Sequence, residues 1–291
     1  MVRRKKRKII IKTAEEVELI REACQLVCKV LTYVAGELRP GLSGDVIDKA
    51  AEEMIRDHGA VPGFKGLYDC PSTLLVSRNE QVVHGLPTKE QVFQDGDILS
   101  IDCGTYMNEF YGDAAYTFCV GDVAEETMTL CRKTKHALYL GIDQARAGRR
   151  VGDISYAIQR YCERENGYGV VRELVGHGVG RSLHEAPDVA NFGRRGNGPR
   201  LQEGLVIAIE PMINLGRRAV ATKSDGWTIV SRDGKPSAHY EHSVAITADG
   251  PADLMSDHRP IEAAILKNPN LKEVVFLDPE MEARYQPLVN V

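Results

Sequence analysis

The chain has 291 residues, of which 43% are hydrophobic and 27% are charged, so it is long enough for one large or two small globular domains. The formal net charge of −4 argues against wholesale nucleic-acid binding, and we expect no specific DNA partner. No apolar run approaches the roughly 20 residues that span a bilayer, and residues 9–11 are too few for the core of a signal peptide. We therefore expect a cytoplasmic protein without a membrane partner.

The cysteines indicate neither a disulfide framework nor a zinc knuckle. Their number is odd, at seven, they are scattered along the chain, and no two of them form a CxxC pair. We interpret them as reduced and mostly buried thiols, in agreement with the expected cytoplasmic location.

An uninterrupted run of cations occupies residues 3–8. Such runs are most often solvated, disordered tails, and this interpretation is favoured here. The functional alternative is a contact with RNA, such as that of the ribosome, in which the cations displace counterions from the phosphates.

The first half of the chain predicts two helices followed by strands. The predicted elements are helices over 13–35 and 43–59, a strand over 74–77 and a β-hairpin over 98–120. Thr13 and Glu16 have the spacing of a capping box, and apolar residues follow at helical intervals. Gly59 is the natural C-terminal stop of the second helix.

Asp102 and Asp113 lie in the two strands of the predicted hairpin. A turn centred on Met107 and Asn108 would place them directly opposite each other, with Cβ atoms roughly 5 Å apart. Like charges in this position destabilise a sheet unless a shared proton or a cation lies between them. The ordinary alternative is a pair of solvated aspartates, which the flanking apolar and small residues make less favourable.

The second half of the chain repeats this order of elements. It predicts helices over 124–147 and 152–167 and strands over 170–174, 205–209, 228–230 and 240–247. The Gly-Asp pair that begins a helix at Gly44 recurs at Gly152, and the same spacing separates Asp102 from Glu210. We infer a duplicated α+β unit in which one acid from each half meets near a pseudo-twofold axis.

Five side chains on short elements are candidate metal ligands, namely Asp102, Asp113, His177, Glu210 and Glu241. Glu210 follows the apolar run LVIAI, where an unpaired carboxylate has a high desolvation cost. Four carboxylates around one imidazole cannot all stay ionised without compensating positive charge. This ligand set suits a pair of divalent ions, such as Co, Mn, Fe(II) or Zn, that activates water for amide or ester hydrolysis.

The histidines also have simpler explanations. His177, taken alone, is as well explained as a loop residue, and its GHGVG segment departs from the GxGxxG phosphate cradle. His58 and His136 lie on predicted helices and are interpreted as surface or packing residues. His239 and His242 flank the candidate ligand of the YEHS segment and could donate hydrogen bonds to it.

Seven motifs carry a resemblance to a known family. In order they are NEQVVHGLP, SIDCG, GD, GHGVGRSLHEAP, IEPM, DGWT and YEHSVAIT. They resemble the methionine aminopeptidases of the first type, within metallopeptidase family M24, over residues 11 to about 247. The resemblance implies an α+β pita-bread (creatinase/aminopeptidase-like) fold with two pseudo-symmetric halves, each of two helices plus antiparallel strands. The domains expected are a basic tail over 1–12, a catalytic domain over 13–250 with halves 13–121 and 122–250, and an extension over 251–291 that packs on the body.

The resemblance also implies the roles of the candidate residues. The five candidate ligands would bind two divalent metal ions per chain, with Asp113 and Glu241 bridging them. Glu210 would in addition act as general base on a water that bridges the metals. His184 would contact the scissile carbonyl, and His84 would contact the peptide nitrogen and stabilise the tetrahedral intermediate.

The expected pocket for the methionine side chain departs from the family pattern. Its residues would be Phe64, Leu67, Tyr68, Cys70, Leu75 and Trp227, which can accommodate a flexible thioether. Members usually carry a tyrosine, two glycines and an aromatic residue where this chain has the segment LYDC. Leu75 stands where a cysteine is common in the family, and Leu183 stands where some members have a phenylalanine. Ala208 replaces the threonine that members usually have beside Glu210.

We expect removal of the initiator methionine from nascent polypeptides when the next residue is small, because a narrow site would exclude bulky side chains. The expected partners are the N-termini of nascent chains and, through the basic tail, the ribosome, and the expected state is a monomer. One alternative is an Xaa-Pro aminopeptidase or proline dipeptidase, although these usually carry a large extra N-terminal domain. Another is a non-catalytic relative that binds nascent chains or ribosomes, although such proteins tend to lose metal ligands.

Overall fold

The computed structural model of the chain describes residues 8–285, so all but the last residue of the predicted cation run lies outside the described residues. The helices are α1 (Ala14–Glu37), α2 (Gly44–Asp57), α3 (Glu125–Ile142), α4 (Val151–Gln159), α5 (Arg259–Lys267) and α6 (Pro279–Tyr285), with a 3-10 turn at Leu67–Asp69 and a π-helical turn at Arg160–Glu165. The strands are β1 (Val61–Pro62), β2 (Leu74–Arg78), β3 (Gln81–Val83), β4 (Ile98–Met107), β5 (Phe110–Val120), β6 (Gly169–Val170), β7 (Gly176–Gly178), β8 (Glu185–Val189), β9 (Val206–Ile209), β10 (Met212–Asn214), β11 (Val220–Thr222), β12 (Ile229–Ser231), β13 (Ser237–His239), β14 (Glu241–Ala245), β15 (Asp253–Leu254) and β16 (Leu271–Lys272). Within the described part of the chain, no helix combines the length and the apolar character that crossing a bilayer requires.

Helix α1 begins where its sequence predicts and packs against β5. The hydroxyl of Thr13 accepts a hydrogen bond from the Glu16 amide at 3.2 Å, and the Glu16 carboxylate accepts one from the Thr13 amide at 3.1 Å, which completes the capping box. The apolar face of the helix is buried. Gly112 permits the close approach of β5, because a Cβ atom there would lie 2.4 Å from the backbone nitrogen of Cys24. This contact fixes the strand that carries Asp113.

Two helices of the second half end earlier than predicted. Helix α3 ends at Ile142 rather than 147, because the chain then turns so that the Gly148 amide donates to the carbonyl of Leu201. The predicted 152–167 helix is α-helical only over α4 and continues as the π-helical turn. There the side-chain amide of Asn166 donates to the carbonyl of Tyr161 at 2.8 Å.

The strand predicted over 170–174 is confined to β6. Beyond Val170 the chain leaves the sheet at Arg172, whose guanidinium pairs with the carboxylate of Glu163 at 3.1 Å and lies over the ring of Phe192. These side-chain contacts replace further strand pairing.

The central sheet has the strand order β1-β4-β5-β14-β9-β7-β8, with antiparallel neighbours throughout. In the β4–β5 hairpin, Asp102 pairs with Ala115 and Gly104 pairs with Asp113, so the two acids are diagonal neighbours rather than directly opposite. The predicted register was wrong because the turn is centred one residue later, at Asn108 and Glu109, which both adopt positive φ angles. The acids still share one face of the sheet.

The segment after residue 250 pairs with both strands that carry candidate acids. Strand β15 pairs with β14, and β16 pairs with β5. Helix α5 packs on α1, with Ile261 and Ile265 buried in the core. The side-chain amide of Asn268 donates to the carbonyls of Ala35 and Leu38 at the C-terminal end of α1.

Candidate metal centre and substrate pocket

The acids of the site form a row across four adjacent strands. Asp102 of β4 and Glu241 of β14 both pair with Ala115 of β5, one from each side. The register of β14 against β9 then places Glu210, the residue after β9, beside Glu241. Because Ala115 is small, the centre of this row leaves space between the carboxylates.

The five predicted ligands line one cavity. Asp113, His177 and Glu241 each offer one ligand atom, and these atoms all lie within 4.8 Å of one another. The Nε2 atom of His177 is 3.6 Å from a carboxylate oxygen of Asp113 and 3.7 Å from one of Glu210. The fold therefore brings together donors that are far apart in the sequence.

The donors fit a divalent cation in chemistry and in orientation. The Nδ1 atom of His177 lies 3.0 Å from the carbonyl oxygen of Gly178, which assigns the ring proton to Nδ1 and leaves the lone pair of Nε2 facing the carboxylates. One oxygen each of Asp102, Asp113 and Glu241 is buried without a hydrogen-bond partner among the described residues. Buried carboxylate oxygens in this condition require a proton or a cation.

The electrostatics of the cluster favour bound protons when no metal is present. Burial raises the pKa of Asp102 to about 7, and burial together with repulsion from Asp102 raises the pKa of Glu210 to about 8. The pKa values of Asp113 and Glu241 are raised well above their ordinary range, mainly by burial and then by the neighbouring carboxylates. Dications would replace these protons.

We expect the free energy of unfolding of chelator-treated protein to fall by on the order of 3 kcal/mol as the pH rises from about 6.5 to about 8. In this window the folded cluster holds protons that the unfolded carboxylates, with pKa values near 4, have already released, so the stability is lost as the pH passes through the raised pKa values. Buried histidines oppose the trend only near the lower end of the window, because burial lowers the pKa of His84 to about 4 while an unfolded histidine titrates near 6.5 and is neutral above about pH 7.5.

Urea unfolding across a pH series measures this dependence. The variant Glu210→Gln should show a shallower slope than the wild type, and added Mn²⁺ should stabilise the protein most at the alkaline end. Stability that rises over this window in the chelated protein would contradict the assignment of a proton-holding acid cluster.

The two histidines that flank Glu241 belong to different strands, His239 to β13 and His242 to β14. The Nε2 atom of His239 is 3.6 Å from the Glu210 carboxylate, so His239 lies beside the acid cluster but next to Glu210 rather than in a hydrogen bond to Glu241. His242 points the other way and contacts the hydroxyls of Ser256 and Tyr139. The prediction that it could donate to the metal ligands was wrong, because successive residues of a strand face opposite sides.

His84 and His184 lie at the same cavity as the acids. The ring centroid of His184 is 4.4 Å from that of His177, and the His84 ring meets Trp227 at 6.4 Å. His84 has a φ of 59°, a strained conformation for a residue other than glycine. Burial, with a smaller contribution from His184, lowers the pKa of His84 to about 4 and keeps its imidazole neutral.

An apolar hollow adjoins the carboxylates. Its buried cluster consists of Phe64, Cys70, Leu75 and Leu183, with Leu67 and Trp227 packed against it. Tyr68 lines the same cavity but is 69% exposed and stands at its mouth. The lining of the hollow is suited to an apolar side chain placed beside the polar groups.

Comparison with known proteins identifies the family. A family model described as Metallopeptidase family M24 matches residues 18–248. A methionine aminopeptidase of Clostridium perfringens is 49% identical over 243 residues, which cover 84% of this chain and 97% of that relative. Methionine aminopeptidase 1 of Bacillus subtilis is 45% identical, with coverage of 83% and 97%. The chain belongs to the methionine aminopeptidases of metallopeptidase family M24.

Solved structures agree with this membership. The crystal structure of methionine aminopeptidase from Thermotoga maritima has a TM-score of 0.83 and 41% identity, and the match covers 86% of this chain and 99% of that one. The prolidase of Pyrococcus furiosus has a TM-score of 0.69 at 22% identity, with coverage of 85% and 65%, and shows the shared fold alone. The predicted α+β pita-bread fold and family resemblance are confirmed. Membership of M24 also makes the chain a metal-dependent peptidase, as predicted.

Sequence reasoning missed two contacts that support the site of this M24 member. The side-chain amide of Asn191 donates to the backbone carbonyl of Glu210 at 2.9 Å and holds the end of β9. Lys12 forms a buried ion pair with Glu185, the residue after His184, at 2.7 Å. No periodicity or motif spacing links these positions, so the sequence carried no signal for either contact.

Proposed function

We propose that the protein removes the initiator methionine from nascent polypeptides when the second residue is small. The observation that carries this proposal is the arrangement of one cavity, in which a buried apolar hollow lies beside four carboxylates and an imidazole. The relatives named methionine aminopeptidase, at 49% and 45% identity, support it. The hollow would take the methionine side chain, and the peptide bond would then lie over the acids.

Two divalent ions per chain are part of this proposal. Asp113, His177, Glu210 and Glu241 would surround one ion, and Asp102 would hold the second together with the shared acids Asp113 and Glu241. The oxygen-rich donor set suits Co, Mn, Fe(II) or Zn. When bound, the ions would supply an activated water and polarise the scissile carbonyl.

The side chains around the acids would complete the hydrolysis. Glu210 would accept the proton of the attacking water as the new carbon–oxygen bond forms, and would pass it to the departing amine nitrogen as the carbon–nitrogen bond breaks. The neutral ring of His84 would contact the peptide nitrogen, and His184 would donate a hydrogen bond to the oxygen that gains charge. Phe64, Leu67, Cys70, Leu75 and Trp227 would bind the methionine side chain.

A pair of tripeptides tests the activity. With Co or Mn present, the protein should release methionine from Met-Ala-Ser at least about tenfold faster than from Met-Lys-Ser, because a narrow site beyond the scissile bond rejects a long side chain. Methionine release is measured by chromatography, with chelator-treated protein as the control. Equal rates for both peptides, or no release from Met-Ala-Ser, would refute the proposed function.

The two alternative functions have less support. Solved structures of proline-specific peptidases resemble the chain at 19–22% identity, compared with 41% for a methionine aminopeptidase structure. A non-catalytic binding protein would have no need of clustered carboxylate oxygens that lack a hydrogen-bond partner in the part of the chain that the structure describes. Elemental analysis distinguishes the last case, since a protein that cannot be loaded with metal would favour a binding role.

We further infer that the catalytic domain spans 13–250 and that the protein acts as a cytoplasmic monomer. The family match, which ends at residue 248, supports the domain boundary, and seven buried free thiols suit a reducing compartment. The cation run would reach the ribosome, and sedimentation with ribosomes should then weaken steeply as salt is raised. Sedimentation velocity tests the monomeric state.

A further inference from the structure

Tyr68 has features that the methionine pocket does not explain. Its side chain is 69% exposed, although it lines the cavity that contains the acids. The buried cluster of the hollow consists of Phe64, Cys70, Leu75 and Leu183 and does not include it. Tyr68 is therefore placed at the mouth of the cavity rather than in the hollow.

The backbone at Tyr68 is strained. Its φ is 51°, and the next residue, Asp69, has a φ of 66°, so two consecutive residues other than glycine adopt the left-handed region. Glycine would adopt both angles without strain. Strained residues of this kind cluster at active sites and ligand-binding segments, where the surrounding structure holds them in place. The tyrosine ring is the group that requires an explanation.

One face of the Tyr68 ring is directed at the site. Its centroid lies 5.9 Å from that of His184, with an angle of 25° between the planes. His184 in turn meets His177 edge-on at 4.4 Å. A series of rings therefore leads from the predicted metal ligand outward, and Tyr68 is its outermost, solvent-exposed member.

We propose that Tyr68 is a substrate-binding residue for the part of the peptide beyond the cleaved bond. This inference rests on the proposed function. With the methionine side chain in the buried hollow and the peptide bond at the acids, the remaining peptide must leave through the mouth, past His184. The exposed Tyr68 ring offers the apolar surface on which the second and third residues would lie.

Substrates of different length test the inference. The variant Tyr68→Gly should lower kcat/KM for Met-Ala-Ser by about three- to tenfold, mostly through a higher KM, because the lost contact is made in both the bound and the transition state. Its kcat/KM for methionine amide, which has no residue beyond the cleaved bond, should stay within about twofold of wild type. Tyr68→Phe retains the ring and should behave as the wild type towards both substrates.

Two controls distinguish the effect of losing the Tyr68 ring from the effect of relaxing the backbone. Asp69→Gly relaxes the adjacent left-handed residue, which does not line the cavity, and should leave both substrates unaffected. Tyr68→Ala removes the ring but keeps the strain, and should match Tyr68→Gly in kinetics. The melting temperature of Tyr68→Gly should stay within about 4 °C of wild type, because glycine accepts the backbone angle.

The outcomes are distinguishable. Equal losses on the tripeptide and on methionine amide would overturn the inference and assign Tyr68 to the methionine pocket. No loss on either substrate would overturn it as well. A wild-type protein that cleaves neither substrate would refute the proposed function, and this inference with it.

Discussion

Replacing Glu210 with glutamine should lower kcat for Met-Ala-Ser by at least about a thousandfold. Glutamine has the shape of the protonated acid but can neither accept the proton of water nor carry the negative charge that a cation requires. The fold should tolerate the change, because burial already raises the pKa of Glu210 to about 8 and a neutral side chain at this position has no unpaired charge to bury. Single-turnover kinetics with Mn²⁺ measure the loss.

A matched control is available in the segment that precedes β9. Glu203 is an exposed glutamate, and Glu203→Gln changes the protein charge by the same amount away from the acid row. It should leave kcat unchanged. Activity of Glu210→Gln within tenfold of wild type would exclude Glu210 as the general base, whatever its metal content proves to be by elemental analysis.

Replacing Lys135 with methionine should lower the free energy of unfolding by about 3 to 5 kcal/mol. The Nζ atom of Lys135 in α3 lies 2.6 Å from a carboxylate oxygen of Glu262 in α5, and both side chains are almost fully buried. The same ammonium donates to the carbonyl of Val274 at 2.8 Å and lies 3.9 Å from the centre of the Phe276 ring. Methionine would leave the Glu262 carboxylate buried without its counter-charge.

The double variant Lys135→Met/Glu262→Leu should recover much of this loss, since two apolar side chains bury no charge. Lys133→Met makes the same chemical change at a partly exposed position of the same helix and should cost no more than about 0.5 kcal/mol. Chemical denaturation of the three variants tests the set. A Lys135→Met protein as stable as the wild type would show that the pair does not anchor the segment after residue 250 to α3.

Local patterns in the sequence were sufficient for the helices of the first half. The capping box at Thr13 and Glu16 is formed by neighbouring residues, so its geometry depends on little else. The prediction of the 152–167 helix did not include the change from α-helix to a π-helical turn over Arg160–Glu165. Apolar spacing indicates that a segment is helical, but it does not distinguish one π-helical turn from the end of an α-helix.

The pairing register of β4 and β5 was predicted incorrectly for a reason that the hairpin makes clear. Moving the turn centre by one residue shifts the pairing by two, and a shift of two keeps every side chain on its original face. Alternation therefore placed Asp102 and Asp113 on one face correctly, but it could not show whether they face each other or lie diagonally. The turn residues decided this, since both Asn108 and Glu109 adopt positive φ angles.

The sequence by itself determined which side chains could bind metal and take part in hydrolysis. Acids that follow apolar runs and histidines within short motifs are local features of the sequence, so they can be identified without the fold. Tertiary structure alone decided their arrangement. Ala115 lies between Asp102 and Glu241 only because β5 pairs with both β4 and β14, and those strands are more than a hundred residues apart. The position of Tyr68 at the mouth of the cavity was likewise decided by the fold. Whether an aromatic side chain is buried depends on which elements, distant in sequence, pack over it, and the local sequence does not indicate this.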